Sequence, residues 1–300
     1  MPEPHPAPPV SGRPAPTGGA GRVVPDDRFF DAEPGAPPVP LVDAHVHLGP
    51  SDSDSVFYPT LSGPEYAAVM EATPVARAIA FAPLRTDGYA RANRDLLAWC
   101  ETTGGRVRPL ARLGGAAVPV TEPELWLARR AVTARLRKRP PDLDSLDDLG
   151  RYAGVKLLPH LDGLPDAAAF DRVAALGLPV LVHGGKYSPP SLVERAILPR
   201  VRGPVVLAHL GSFPAEERML HEAVDLARRE PRVFLDTSGV VTAAFLRYAA
   251  ERVPHKLLFG SDAPLMHPGV AWAHVASVVP RAHWEAIASQ TAQTVFGLDA

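Results

Sequence analysis

Two histidines separated by a single residue, His45 and His47, end a short apolar run near the start of the chain. In an extended strand residues i and i+2 point to the same face, so both imidazoles can approach one point. Imidazole nitrogens are ligands that zinc and related divalent metals prefer. The pair therefore indicates half of a metal site, and the other ligands must come from comparable positions elsewhere in the sequence.

Three further apolar runs end in residues that could supply those ligands. His183 and His209 each follow an apolar run and precede a glycine, and Asp262 follows a third run. A single histidine in such a place is more often a hydrogen-bonded structural residue, and an aspartate is often a turn former. The recurrence of one position on four apolar runs favours a shared metal centre over these separate explanations.

The elements that must position these residues alternate along the chain from residue 40 onward. Apolar runs typical of parallel strands buried on both faces occupy residues 40–46, 76–83, 107–113, 154–158, 179–182, 204–208, 233–236 and 256–259. Helical patterns lie between them, for example over residues 89–102, 166–176, 191–198, 216–229 and 242–252. Eight strands alternating with helices predict a (β/α)8 TIM barrel, whose functional residues sit at the C-terminal strand ends. An open doubly wound sheet is the competing architecture, but it would not need eight strands.

Composition excludes several classes of protein. The 300 residues are 46% hydrophobic with a net charge of −2 and no dense basic block, so nucleic acid is not an expected partner. We expect no membrane span, because no run of about 18 apolar residues occurs. A single cysteine, Cys100, excludes an intramolecular disulfide and fits a cytoplasmic location. Residues 1–39 are proline-rich and are predicted to form a disordered or loosely draped tail before a barrel of residues 40–300.

Several motifs occur in the order of a known family: DAHVHLG (43–49), GVKLLP (154–159), LPVLVHGG (178–185), VVLAHLG (205–211), VFLDTSG (233–239) and LLFGSDAP (257–264). In them the chain resembles the amidohydrolase superfamily, in particular its amidohydrolase-2 branch, which includes aminocarboxymuconate-semialdehyde decarboxylase-like and lactone hydrolase-like members. The resemblance implies that His45, His47, His183 and Asp262 bind one divalent metal, with zinc the first candidate and manganese the second. It also implies that His209 is a catalytic imidazole beside the metal-bound water and that Asp262 shuttles a proton.

Some positions depart from the family pattern. Leu158 stands where the strand-four motif often has histidine, with His160 nearby, and Gly184 stands where threonine is common. Thr291 replaces the asparagine of the final helix. Lys156 corresponds to a lysine that is carboxylated in two-metal relatives, and we interpret it as a cation lining the site. One metal is favoured over two, because the four implied ligands already complete a set.

Polar residues near other strand ends are candidate substrate contacts. Each basic residue alone is explained as well by a solvated surface, but as a group they favour an acidic small molecule. The candidates are Arg85, Arg112, Lys156, His160, Lys186, Tyr187 and Ser238.

The predicted function is metal-dependent hydrolysis of a small carboxylated lactone, amide or ester. The alternatives are non-oxidative decarboxylation of an unsaturated or aromatic carboxylic acid at the same site, and a binding protein without chemistry. A homodimer, common for such barrels, is left open.

Overall fold

The computed structural model describes residues 29–30, 34–51, 59–85, 87–115 and 142–298. Most of the predicted N-terminal tail, residues 1–28 and 31–33, lies outside the described residues. The division of the chain at residue 40 therefore stays a prediction.

Eight parallel strands form one sheet in which each strand pairs with the next along the chain. The strands are β1 Leu41–His47, β2 Val75–Phe81, β3 Val107–Leu113, β4 Gly154–Leu157, β5 Val180–Val182, β6 Val205–Leu207, β7 Val233–Asp236 and β8 Leu257–Leu258. The end of the sheet returns to its start, because the Ala44 N–H donates to the Phe259 carbonyl oxygen at 2.9 Å and the Asp262 N–H donates to the His45 carbonyl oxygen at 3.0 Å. The predicted (β/α)8 barrel is thereby confirmed.

Helices pack around the strands. The α-helices of six residues or more within the described ranges are α1 Gly63–Ala72, α2 Ala90–Glu101, α3 Ala167–Leu176, α4 Glu217–Arg229, α5 Ala243–Arg252, α6 Pro268–Val278 and α7 Thr291–Phe296. Helix α1 begins at a capping box, in which Ser62 Oγ accepts the Glu65 N–H and the Glu65 carboxylate accepts the Ser62 N–H. Helix α3 begins at Asp166, whose side chain accepts the Ala169 N–H, and it ends at the left-handed Gly177.

The strands bury side chains on both faces, as the continuous apolar runs predict. In β5, Val180 and Val182 belong to the larger apolar cluster between strands and helices, while Leu181 belongs to a second cluster. That second cluster joins alternate strand residues from around the barrel to Ala292 and Phe296 of α7. The described helices all lack the length and apolarity that a bilayer crossing requires.

Candidate metal and active site

Three of the predicted ligands converge where β1 meets the end of β8. A bulge between Asp43 and Val46 shifts the register of β1 against β2, and it lies at His45. The ligand atoms of His45, His47 and Asp262 lie within 4.8 Å of one another. Asp262 Oδ1 is 3.3 Å from His45 Nε2 and 3.1 Å from His47 Nε2. The i, i+2 spacing thus brings both imidazoles to one carboxylate.

The proton on His45 is positioned by Asp236, at the end of β7. Asp236 Oδ2 lies 2.8 Å from His45 Nδ1, and both side chains are buried. Burial alone would raise the pKa of Asp236, but His45, His209 and Ser238 lower it to about 2, so the carboxylate is ionised and only accepts. The His45 Nδ1–H therefore donates to it, and the lone pair of His45 Nε2 points toward Asp262. A carboxylate behind a metal-binding histidine fixes the tautomer in this way.

The unpaired atoms of this group fit a divalent cation. His45 Nε2 and His47 Nδ1 are buried nitrogens without a hydrogen-bond partner. Burial lowers the pKa of His47 to about 4, so this imidazole is neutral near pH 7. Although burial acts to raise the pKa of Asp262, the hydrogen bond from His47 and the nearby histidines hold it well below its usual value. An imidazole lone pair and a carboxylate 3.3 Å apart repel each other. A metal ion between them would remove that repulsion.

His183 and His209 form a second pair beside these three residues. His209 Nδ1 lies 2.9 Å from the Ser238 carbonyl oxygen, so Nδ1 carries the proton. His209 Nε2 is then free to accept from His183 Nδ1 at 3.1 Å. Burial lowers the pKa of both imidazoles; neighbouring histidines and Lys156 reinforce this for His183, whereas Asp262 and Asp236 oppose it for His209. His183 is adjacent to the three-residue group rather than within it, and its role as a fourth ligand stays a prediction.

The backbone is strained at two of these positions. His209 has a φ of 59° and Asp262 has a φ of 67°, and both values lie in the left-handed region that residues other than glycine rarely occupy. Such residues cost about 1–3 kcal/mol each and cluster at functional sites. Asp236 Oδ1 holds the first in place by accepting the His209 N–H at 2.9 Å. The surrounding hydrogen bonds thus maintain a conformation that aims both side chains into the site.

Lys156 is the predicted cation that lies inside the barrel. It is 2% exposed, and its Nζ has no hydrogen-bond partner. The Nζ lies 4.7 Å from the centre of the Phe81 ring, which also packs against His45 and His47 at 4.9 and 4.6 Å. Burial, followed by repulsion from Arg112, lowers the pKa of Lys156 to about 7. This amine is therefore close to its titration point at neutral pH.

The other predicted cations are each bound to a carboxylate. Arg112 is fully buried, and its Nε and Nη2 donate to Asp162 Oδ2 at 2.9 and 2.8 Å. Arg85 donates to the carboxylate of Asp87 and, through Nη1, to the Pro50 carbonyl oxygen at 2.9 Å. Lys186 is exposed, with its Nζ 3.6 Å from Glu216 Oε1. The role of these three residues in substrate binding stays a prediction.

The remaining candidates lie around the histidines. The His160 ring centre is 4.9 Å from that of His183 and 5.6 Å from that of Tyr187. Burial lowers the pKa of His160 to about 4, and its Nδ1 lies 3.3 Å from Ser188 Oγ. Ser238 is buried, and its Oγ contacts the Asp236 carboxylate as well as the Nδ1 atoms of His45 and His209.

Sequence reasoning gave Asp236 only a backbone role and did not include Asp43. Besides accepting backbone N–H groups, Asp236 orients His45, as described above. Asp43 accepts hydrogen bonds from the Ser261 N–H and hydroxyl at 2.8 and 2.6 Å and from the Tyr66 hydroxyl at 2.9 Å. It thereby joins β1 to the segment that carries Asp262. The only signal in the sequence was that each aspartate occupies an otherwise apolar strand, where an unpaired carboxylate would be costly.

Solved structures share this fold. A protein of Agrobacterium tumefaciens is 17% identical, with 88% of this chain and 98% of that chain covered and a TM-score of 0.60. A probable 2-pyrone-4,6-dicarboxylic acid hydrolase from Acinetobacter baumannii is 18% identical, with 86% and 100% covered and a TM-score of 0.56. A dihydroxybenzoic acid decarboxylase from Polaromonas, with bound manganese, is 15% identical, with 87% and 98% covered and a TM-score of 0.55. At these identities the likeness extends to the fold alone.

Sequence comparison assigns the family. No curated protein matches the chain. The model of a family described as Amidohydrolase matches residues 42–298, which include every strand of the barrel and all the histidines and aspartates of the site. The match covers far more than half of the chain. This chain belongs to the amidohydrolase family that the model describes.

Proposed function

We propose that this protein is a metal-dependent hydrolase that cleaves a small lactone, amide or ester. The observation that carries the proposal is the buried His45 Nε2, which has no hydrogen-bond partner and lies 3.3 Å from Asp262 Oδ1. His45, His47 and Asp262 would hold the metal, with His183 as the fourth ligand that the resemblance implies. A divalent metal bound there would polarise the scissile carbonyl and lower the pKa of the attacking water.

The residues around this site can manage the proton of that reaction. The ionised Asp262 carboxylate can take a proton from the attacking water and return it to the leaving group. Its Oδ2 lies 4.0 Å from His209 Nδ1, so His209 can help to orient it. Asp236 keeps His45 in the tautomer that offers Nε2 outward. Phe81 and the surrounding apolar residues exclude bulk water, which strengthens these electrostatic interactions.

Decarboxylation of a small unsaturated or aromatic acid is the alternative, because it would use the same ligands. The Polaromonas protein named as a decarboxylase has this fold and carries manganese. That reaction needs an acid that protonates a carbon atom of the substrate. Asp262 or His209 would supply that proton, just as Asp262 would return a proton to the leaving group in hydrolysis, so the same residues can serve either reaction. Zinc over manganese, an anionic substrate and a cytoplasmic location remain parts of the proposal.

The two reactions are separated by incubating zinc-loaded and manganese-loaded protein with a panel of lactones, esters, amides and aromatic carboxylic acids. Hydrolysis adds about 18 Da to the substrate, whereas decarboxylation releases carbon dioxide. Carbon dioxide release without any hydrolysed product would contradict the hydrolase assignment. Activity that survives complete chelation, in protein with well under one metal equivalent, would reject the metal mechanism for either reaction.

A further inference from the structure

A cavity of about 230 Å³ lies beside His209, between the loops that follow β6 and β7. Its lining includes Phe213 on one side and Val240, Val241 and Phe245 on the other. The Phe213 ring centre is 5.4 Å from that of His209, so the cavity begins at the active-site imidazole. Val241 is 71% exposed and lies at the open end.

Gly239 separates this cavity from the ligand group. Its φ is +61°, and a Cβ placed there would lie 2.9 Å from Asp262 Oδ2 and 3.2 Å from His209 Nδ1. Any larger residue at this position would therefore press on the two side chains that face the reacting group. Glycine leaves this position without a side chain, so the cavity wall at Gly239 directly adjoins Asp262 and His209.

The chemistry of the lining selects what can enter. The described residues around the cavity include no aspartate, glutamate, lysine or arginine. A charged group placed there would lose its hydration without gaining a partner. The volume exceeds that of the roughly 150 Å³ apolar cavity known to bind benzene. One aromatic ring, or a chain of about six carbons, would fit.

We propose that this cavity binds an uncharged, apolar arm of the substrate while the reacting group lies at His45, His47 and Asp262. The inference rests on the proposed function for the place of the reacting group. It narrows the substrate class to compounds that carry a ring or an alkyl chain next to the scissile bond. A substrate with a second carboxylate in this direction is disfavoured.

The test uses the full chain loaded with zinc and a series of inhibitors that share one metal-binding head. Acetohydroxamate, butyrohydroxamate and hexanohydroxamate differ only in chain length, and the monohydroxamate of adipic acid carries a terminal carboxylate on a chain of similar length. Each methylene buried in the cavity should strengthen binding by roughly 3- to 4-fold. Hexanohydroxamate should therefore bind at least about 30-fold more tightly than acetohydroxamate. The adipic acid monohydroxamate should bind only slightly more tightly than acetohydroxamate, because its terminal carboxylate would lose hydration in the cavity.

Two exposed valines give a matched pair of variants. Val241→Asp places a carboxylate at the cavity mouth, whereas Val270→Asp makes the same change at a 59% exposed residue of α6 outside the lining. In V241D the ratio of the acetohydroxamate Kd to the hexanohydroxamate Kd should fall by about tenfold. In V270D that ratio should stay at the wild-type value.

The outcomes distinguish the cavity from the metal site. If acetohydroxamate binds but longer chains gain nothing, or if V270D reduces the gain as much as V241D does, the cavity proposal is overturned and the metal site stands. If no hydroxamate binds zinc-loaded protein, the proposed function fails. The cavity proposal is then tested separately, by measuring whether benzyl alcohol binds to chelator-treated protein. If ligand-observed NMR detects benzyl alcohol binding, and V241D weakens that binding while V270D leaves it unchanged, the cavity proposal is supported. If benzyl alcohol does not bind, the cavity proposal is refuted.

Discussion

Replacing Lys156 by methionine should stabilise the barrel. The amine is 2% exposed, and its Nζ lacks a hydrogen-bond partner. Methionine has nearly the same length and shape, so it can occupy the same space against Phe81 without leaving a large cavity. The substitution removes an amine whose charged form loses its hydration inside the barrel without gaining a hydrogen bond.

The size of the effect follows from the pKa of Lys156, which falls from the ordinary 10.5 to about 7 in the folded protein. A difference of about 3.5 pH units corresponds to about 5 kcal/mol at 1.36 kcal/mol per unit. The contact between the ammonium and the Phe81 ring, worth about 1–2 kcal/mol, is lost with the lysine. We therefore expect a gain of about 3–4 kcal/mol below pH 7, or a Tm increase of at least about 6 °C.

The pH dependence tests the physical cause. Because the folded pKa of Lys156 lies below the unfolded value, the unfolded state binds more protons between pH 7 and 10.5, and the wild-type protein gains stability as pH rises through that window. The penalty is complete below pH 7 and disappears toward pH 10.5. The stability difference between K156M and wild type should shrink accordingly.

Urea and thermal unfolding of chelator-treated protein at several pH values between 6 and 10 would measure this difference. Lys186→Met is the matched control, because Lys186 is an exposed lysine paired with Glu216 and its loss should change stability by less than about 0.5 kcal/mol. A K156M protein that is less stable than wild type at pH 6, or a difference that does not vary with pH, would refute this reasoning.

Other substitutions test the site and its support. Asp236→Asn replaces the charged acceptor of the His45 Nδ1 proton by a neutral amide, whose NH2 group can face Nδ1 and favour the other tautomer. It should weaken zinc binding about 10- to 100-fold in a competitive chelator titration; unchanged affinity would show that Asp236 does not control the tautomer. Arg112→Met leaves Asp162 buried without its cation and should cost about 3–5 kcal/mol in urea unfolding. Adding Asp162→Asn should restore part of this loss, and strict additivity of the two changes would contradict the pairing. His45→Ala should abolish zinc retention measured by plasma mass spectrometry, whereas His183→Ala should weaken it less, because His183 lies outside the three-residue group; equal losses would make His183 a full ligand.

The strands were predictable because burial on both faces leaves a local signature. Residues 107–113 and 233–236 were predicted as strands and are β3 and β7 to the residue. The run 256–259 shortens to Leu257–Leu258. The helix predicted over residues 191–198 is helical but irregular. An α-helical turn at Pro190–Leu192 continues into a π-helical turn at Val193–Ile197 and then a 3-10 turn at Leu198–Arg200, which contains Pro199. Proline has no N–H for the next helical hydrogen bond, so regular geometry cannot continue there.

The candidate ligands were also accessible from the sequence, since His45 and His47 share the end of β1 and His183 and Asp262 each follow another strand. The partners of the buried charged and imidazole side chains were not accessible from the sequence. Arg112 is 50 residues from Asp162, and His45 is 191 residues from Asp236. Local patterns indicate that a buried charge needs a partner, but they do not say which distant carboxylate supplies it. For the same reason the sequence could not show that Arg112 and Lys186 of the predicted basic group are paired with Asp162 and Glu216.

The three-residue group joins two ends of the polypeptide that meet only after the barrel has closed. His47 and Asp262 are 215 residues apart, and the first and last strands carry them. A metal held there would act as a reversible crosslink across the seam between β8 and β1. Metal binding would then report on barrel closure itself, because a chain with β8 detached lacks one ligand. The free energy of binding would be added to that of closure, by an amount that grows with the logarithm of free metal concentration.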